Sequence, residues 1–254
     1  MTIEAHLNDL LEHLSSANQN DHISSDQLIQ SIDLTLLDEN ASDDALTHLF
    51  HLAQTNKIAA VCVFTKHLHY FLQENRFNRA TVVNFPQGNS DVATILKNID
   101  LAIELGANEI DYVFPYQMYL TDNKQNALNQ CNSIAEYCRE QRLSLKVILE
   151  TGAFPDIQTI HQVCTELLKF GCDFLKTSTG KIPQGASLSA VFAILSAIKD
   201  SGKQCGIKIS GGVKTTKQAR SYAYLAELMM GKKINANWFR LGASSLLDEL
   251  LKDN

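Results

Sequence analysis

No stretch of this 254-residue sequence is apolar for long enough to cross a membrane. Its start, Met1-Thr2-Ile3-Glu4-Ala5-His6-Leu7-Asn8-Asp9-Leu10, carries acidic residues and lacks the apolar centre of a signal peptide. A cytoplasmic location is therefore expected. Basic residues are in deficit: 22 Lys and Arg against 28 Asp and Glu leave a formal charge of −6. Such a chain has no general affinity for nucleic acid or an anionic membrane, although a local cationic pocket for a small anionic substrate remains compatible. Cysteines at 62, 131, 138, 164, 172 and 205 form no Cys-x-x-Cys pair and no zinc spacing, so all are expected to be reduced and structural. His67-Leu68-His69 has the spacing of a metal pair, but no histidines after the later strands complete a site, and the pair is assigned to the surface. His48 and His51 fall on a polar helical stretch and are expected to be solvated. Phosphate-loop and nucleophile-elbow motifs are missing too: Thr179-Gly180-Lys181-Ile182 lacks the leading glycine and the trailing Ser or Thr of a Walker A loop, and no Gly-x-Ser-x-Gly occurs.

What is present is alternation. Apolar, β-branched segments near Ile32 and at 59–64, 81–85, 109–114, 143–149, 174–177, 206–209 and 238–241 alternate with helical periodicity at 91–105, 124–141, 156–170, 188–200 and 215–230. Gly106, Gly171 and Gly202 each fall just after a helix and just before a strand, where a left-handed stop is needed. Short strands separated by single helices pair in parallel. Without a Gly-x-Gly-x-x-Gly after the first strand, eight such units fit a closed (β/α)8 TIM barrel better than an open sheet. The length suits one barrel, though two smaller domains would also fit. With no Pro/Ser/Gly-rich linker, the expectation is a single domain over 1–254, with 1–27 as an N-terminal helical extension.

Three ionisable residues interrupt apolar strands: Lys176 in Phe174-Leu175-Lys176-Thr177, Lys208 in Gly206-Ile207-Lys208-Ile209, and Asp111 in Glu109-Ile110-Asp111-Tyr112-Val113. A buried lysine must pair, lower its pKa or react. Strand alternation groups Phe174, Lys176 and Ser178 on one side and Gly206, Lys208 and Ser210 on another. If both sides face the interior, two amines meet over one cavity. A free lysine has a pKa of ~10.4, so a nucleophilic amine at neutral pH requires burial or a neighbouring cation. Lys176 is read as the nucleophile, Lys208 as the cation that depresses its pKa, and Asp111 as counter-charge and proton shuttle. Lys146, a third embedded lysine, stands outside the catalytic set as electrostatic or structural support. Asp33, at the end of the first strand, either accepts a substrate hydroxyl or starts the following loop.

A phosphate signal is separate from the amines. Gly211-Gly212 follows the seventh strand, and Gly242-Ala243-Ser244-Ser245 follows the eighth and opens the last helix, the two places where barrels often hold phosphate. Lys181 adds charge from the loop after strand six.

The segments 81–88 (Thr81-Val82-Val83-Asn84-Phe85-Pro86-Gln87-Gly88), 109–116, 146–152, 174–181, 206–213 and 242–247 resemble deoxyribose-phosphate aldolase, from about residue 28 onward. Phe174-Leu175-Lys176-Thr177-Ser178-Thr179-Gly180-Lys181 is the most specific block. The resemblance implies a class I aldolase in deoxyribonucleotide catabolism that reversibly cleaves 2-deoxy-D-ribose 5-phosphate to D-glyceraldehyde 3-phosphate and acetaldehyde. It implies Lys176 as the Schiff-base lysine, Asp111 and Lys208 as the proton-transfer pair, and no metal or organic cofactor. The implied partners are phosphosugar and aldehyde substrates, with a homodimer or homotetramer as the expected assembly class, although no segment marks an interface. Two departures stand out. Lys214 replaces the arginine that members often have after Gly-Gly-Val, keeping charge but losing a bidentate fork. The sequence ends Leu251-Lys252-Asp253-Asn254, without the terminal tyrosine that assists proton transfer in some members, a departure that bears on the rate more than on the reaction. A transaldolase-like transferase and a non-catalytic sugar-phosphate binder are the rival readings.

Overall fold

The computed structural model describes Leu7 and residues 23–253. Eight parallel strands close on themselves in sequence order. They are β1 (Ile32–Leu36), β2 (Ala60–Val63), β3 (Asn78–Val83), β4 (Glu109–Val113), β5 (Ser144–Ile148), β6 (Phe174–Lys176), β7 (Gly206–Ser210) and β8 (Phe239–Ala243). Closure is made by β1 against β8, with Ile32 opposite Leu241 and Asp33 opposite Gly242. The fold is thus the expected (β/α)8 barrel. The helix expected within 1–27 lies for the most part outside the described residues.

Nine helices follow in the described chain: α1 (Ser25–Gln30), α2 (Asp43–Thr55), α3 (Val92–Glu104), α4 (Tyr116–Tyr119), α5 (Lys124–Glu140), α6 (Ile157–Leu167), α7 (Leu188–Ser201), α8 (Thr216–Met230) and α9 (Leu246–Lys252). Their starts are written in the sequence. Asp91, Asp156 and Ser187 accept hydrogen bonds from the backbone N–H three residues on, and Thr215 with Gln218 forms a reciprocal box, so orphan donors at four helix starts are satisfied. Their ends follow the same logic: Gly106, Gly171 and Gly202 all have positive φ, between 63° and 89°. Each helix then turns its apolar stripe inward, as Ile95, Ile99 and Ala102 of α3 do, all fully buried.

β3 is the strand that departs from the apolar pattern. It begins at Asn78, three residues earlier than the apolar run, because the polar pair Asn78-Arg79 finds partners at the barrel rim. Arg79 donates its backbone N–H to Asn108 Oδ1 and its side-chain N–H groups to the carbonyls of Gly106 and Glu74. The strand ends at Val83, before Asn84 turns to φ 56° and donates from Nδ2 to the Val113 carbonyl.

Candidate active site

Inside the barrel the register brings the expected residues together. Lys176 is paired with Lys208 across β6 and β7, and Asp111 with Lys146 across β4 and β5. Gly206 stands opposite Phe174; a Cβ there would lie 2.5 Å from the Phe174 ring, so only glycine leaves the ring its place. The Arg240 guanidinium lies over that ring at 5.3 Å from its centroid, within cation–π range.

Asp111 is the hub. Its Oδ2 accepts from Lys176 Nζ at 2.6 Å and from Lys208 Nζ at 2.7 Å, and its Oδ1 accepts from Lys146 Nζ at 2.9 Å. The Cys62 thiol points at the same Oδ2 from 3.9 Å. Burial alone would raise the Asp111 pKa, but the three ammonium groups outweigh it and hold the carboxyl well below the usual carboxylate range. Lys208 also reaches Asp33 Oδ2 at 2.6 Å; burial disfavours its charge, yet the two carboxylates prevail and raise its pKa. Lys146 touches Glu109, Asp111 and Asp33 at 2.5, 2.9 and 3.6 Å and is likewise pushed up against the effect of burial, to about 12. Lys176 alone goes the other way. Desolvation is the largest cause, Asp111 opposes it, Lys208 adds to it, and the net shift is downward. Among these three amines, Lys176 is therefore the one shifted toward the neutral, nucleophilic form.

Lys176 also forms part of a cavity of about 330 Å³ at the C-terminal ends of the strands. Thr35, Leu36, Thr179, Lys181, Gly211, Gly212, Lys214, Gly242 and Ser244 share that lining. Of the expected substrate residues, then, Lys181, Gly211, Gly212, Gly242 and Ser244 converge with Lys176, whereas Asp33 and Ser245 do not line the cavity. Asp33 is fully buried within the barrel, where Arg240 donates to its Oδ1 at 2.6 Å and Lys208 holds its Oδ2. Its carboxylate belongs to the interior charge network and neither faces the cavity nor starts a loop. Gly242 is small for a reason: a Cβ there would stand 2.9 Å from Ser210 Cβ and 3.1 Å from Lys208 Cε. Lys181 spans the mouth, donating from Nζ to the Leu37 carbonyl at 3.0 Å.

A larger cavity of about 630 Å³ opens at the opposite, N-terminal mouth, against Arg240, Trp238 and Lys203. The amines do not line it, and barrel enzymes keep their chemistry at the other face.

Three features escaped the sequence reading. Arg240 interrupts the apolar run Trp238-Phe239-Arg240-Leu241 in the same way as the two lysines, a signal that was there to be read. Glu109 lies two residues before Asp111, hence on the same strand face. Glu150 is fully buried at φ 60° and accepts from Thr179 at both its backbone N–H and its hydroxyl, and burial raises its pKa. One surface assignment is overturned: His67 is 7% exposed, because the 3-10 turn Thr65–Phe71 packs it inward, while His69 stays exposed. Among the described residues, all six cysteines are free and buried, and no cluster of His, Cys, Asp or Glu is arranged to hold a metal ion. No described helix is long and apolar enough to cross a membrane.

A closed eight-stranded barrel whose interior lysine–carboxylate cluster sends one lysine, Lys176, to the cavity at the C-terminal ends of the strands has the arrangement of a barrel enzyme. The chain belongs to the DeoC/LacD family of aldolases, whose model matches residues 27–251. Solved structures agree. An aldolase named QR15 superposes with a TM-score of 0.76 at 25% identity, over 89% of this chain and 96% of its own. The tetrameric deoxyribose phosphate aldolase of Aeropyrum pernix gives 0.77 at 24% identity, over 92% of this chain and 94% of its own. A provisionally named deoxyribose-phosphate aldolase from Coccidioides immitis gives 0.79 at 22% identity, over 100% of this chain and 98% of its own.

Proposed function

We propose that this aldolase cleaves 2-deoxy-D-ribose 5-phosphate to D-glyceraldehyde 3-phosphate and acetaldehyde through an imine on Lys176, and that its role is deoxyribonucleotide breakdown. The observation that carries the proposal is the contrast between neighbours: Lys208 is held by two carboxylates, Asp33 and Asp111, whereas Lys176 contacts Asp111 alone and reaches the cavity at the C-terminal ends of the strands.

The chemistry follows from where electrons must go. Breaking C2–C3 leaves a pair on C2, and a protonated imine at C1 accepts it far better than a carbonyl does. The free amine of Lys176 adds to the C1 aldehyde, and loss of water gives the protonated imine. A base removes the C3 hydroxyl proton, C2–C3 breaks, the triose phosphate leaves as an aldehyde, and an enamine remains on Lys176. Protonation at C2 and addition of water then release acetaldehyde and restore the amine. Asp111, 2.6 Å from Lys176 Nζ, is the proton carrier beside the reacting nitrogen, with Lys208 fixing its charge and position. Gly211 and Gly212, through backbone N–H groups, hold the substrate phosphate together with Ser244 and Lys181, far enough from C2–C3 to act as an anchor.

The test is an assay of acetaldehyde release from 2-deoxyribose 5-phosphate beside unphosphorylated 2-deoxyribose. The proposal expects cleavage of both, with kcat/KM higher for the phosphorylated sugar by at least about a hundredfold, the usual scale of a well-placed anchoring group. Equal efficiency would remove the phosphate from the reading. Cleavage of neither sugar would remove the substrate.

A further inference from the structure

The barrel interior holds more charge than the proposed chemistry uses. Four cations (Lys146, Lys176, Lys208 and Arg240) face three carboxylates (Asp33, Glu109 and Asp111), and none of the seven is more than 4% exposed. Such groups are poorly screened by water, so each fixed charge among them acts on the proton affinity of the others. Which cation is held least firmly in its charged form follows from the partners. Lys146 contacts three carboxylates, Lys208 contacts Asp33 and Asp111, and Arg240 contacts Asp33 at 2.6 Å and Glu109 at 3.2 Å. Lys176 contacts Asp111 alone, on an oxygen it shares with Lys208. A guanidinium does not deprotonate in a protein, so Arg240 is a permanent charge, and Lys176, with the fewest carboxylate contacts, is the cation held least firmly in its charged form.

We propose that Glu109 and Arg240 are positioning residues that, through Asp33, Lys146, Lys208 and Asp111, set how readily Lys176 gives up its proton. This rests on the reading of Lys176 as the attacking amine. Arg240 adds a fixed positive charge that favours proton loss from Lys176. Without Arg240 that push is gone and Lys176 keeps its proton to higher pH. Without Glu109 a negative charge is gone and Lys176 loses its proton more easily. The other titratable groups facing Lys176 are the same in every variant. Burial keeps Cys62 of β2 a neutral thiol. Glu150, after β5, is a further buried carboxylate that acts on Lys176 while it accepts from Thr179, and Lys181 reaches across the mouth to Leu37. Arg240 is fixed in place from two sides, since its Nε donates to the Ala236 carbonyl and its plane lies on Phe174.

The experiment measures the rate of borohydride-trapped acetaldehyde adduct at Lys176 against pH in the full chain. Arg240→Met should move the midpoint alkaline by at least about half a pH unit, the effect of one charge a few side chains away at an effective dielectric of ~20. Glu109→Gln should move it in the acid direction by a similar amount. The double variant, which loses one charge of each sign, should return close to wild type, and Arg240→Lys should stay there. Opposed shifts that cancel are not produced by loosened packing. Unmoved midpoints, or shifts in the same direction in both single variants, overturn the proposal. If Arg240→Met does not fold, Glu109→Gln decides alone: an acid shift supports the proposal, and any other result overturns it. Absence of a wild-type adduct at Lys176 overturns the underlying assignment, and this proposal with it.

Discussion

Lys176 and Lys208 share a residue type, a strand register and an oxygen atom, yet their proton affinities diverge. The difference lies in the second partner: Lys208 has Asp33 at 2.6 Å and Lys176 has none. Replacing Lys208 by leucine therefore removes the nearest like charge from Lys176. The pH profile of adduct formation should move alkaline by roughly one to two units, the size of a close like-charge interaction at an effective dielectric of ~20. An unchanged profile with lost activity would reduce Lys208 to a proton carrier. The positions of Lys176, Lys208 and Asp111 were legible in the sequence because apolar neighbours on both sides left no solvated place for them. Arg240 carried the same signature. The partnership of Asp33 was not legible, since its guanidinium arrives 207 positions later, only when β8 closes on β1. The burial of His67 was hidden for a similar reason: a 3-10 turn gives no periodicity to read.

At the scale of elements, the strands place the chemistry and the loops shape the cavity. The loop after β7 is held from the far side by the stretch before α7, where Ala186 donates its backbone N–H to the Gly211 carbonyl at 2.9 Å. Gly185 makes that approach possible, because a Cβ on it would stand 2.1 Å from the Gly211 oxygen. Gly185→Ala must displace backbone. It should raise KM for the phosphorylated sugar at least about tenfold while the Lys176 adduct still forms with acetaldehyde, which has no phosphate to hold. Loss of adduct formation as well would show that the loop supports the amines. Ser244→Asp tests the same cup by charge: kcat/KM should fall steeply for the phosphorylated sugar and change little for unphosphorylated deoxyribose. Equal losses would place the phosphate elsewhere. That the two glycines and Ser244 share one cavity was readable in the sequence, but the role of Gly185 was not, because its constraint comes from a contact across space and no local turn announces it.

For the whole molecule, the charge network ties the active site to stability. Asp33 and Asp111 sit below their ordinary value of 3.8 when folded, so the unfolded chain binds more protons between the folded and unfolded values. Their contribution is fully present above about pH 5 and is lost as pH falls through 3.8 toward the lower folded values. Glu150, raised in the fold, opposes this and gives up its share as pH rises through its own range. Glu74, Asp91, Asp156 and Glu166 are lowered as well, so among the described residues six lowered carboxylates against one raised predict a net loss in acid. The urea midpoint should fall as pH drops from 5 to 3, and Asp33→Asn should flatten that fall while lowering the midpoint at pH 7. An equally steep fall in the variant would remove Asp33 from the linkage.

The central claim is that one of three buried amines, Lys176, forms the covalent intermediate. Treating the enzyme with acetaldehyde and borohydride, then mapping peptides by mass, tests it without any assumption about the sugar. The account predicts a two-carbon ethyl group on Lys176 and on neither Lys146 nor Lys208. Modification of Lys208 in its place, or no adduct on any of the three, would contradict it.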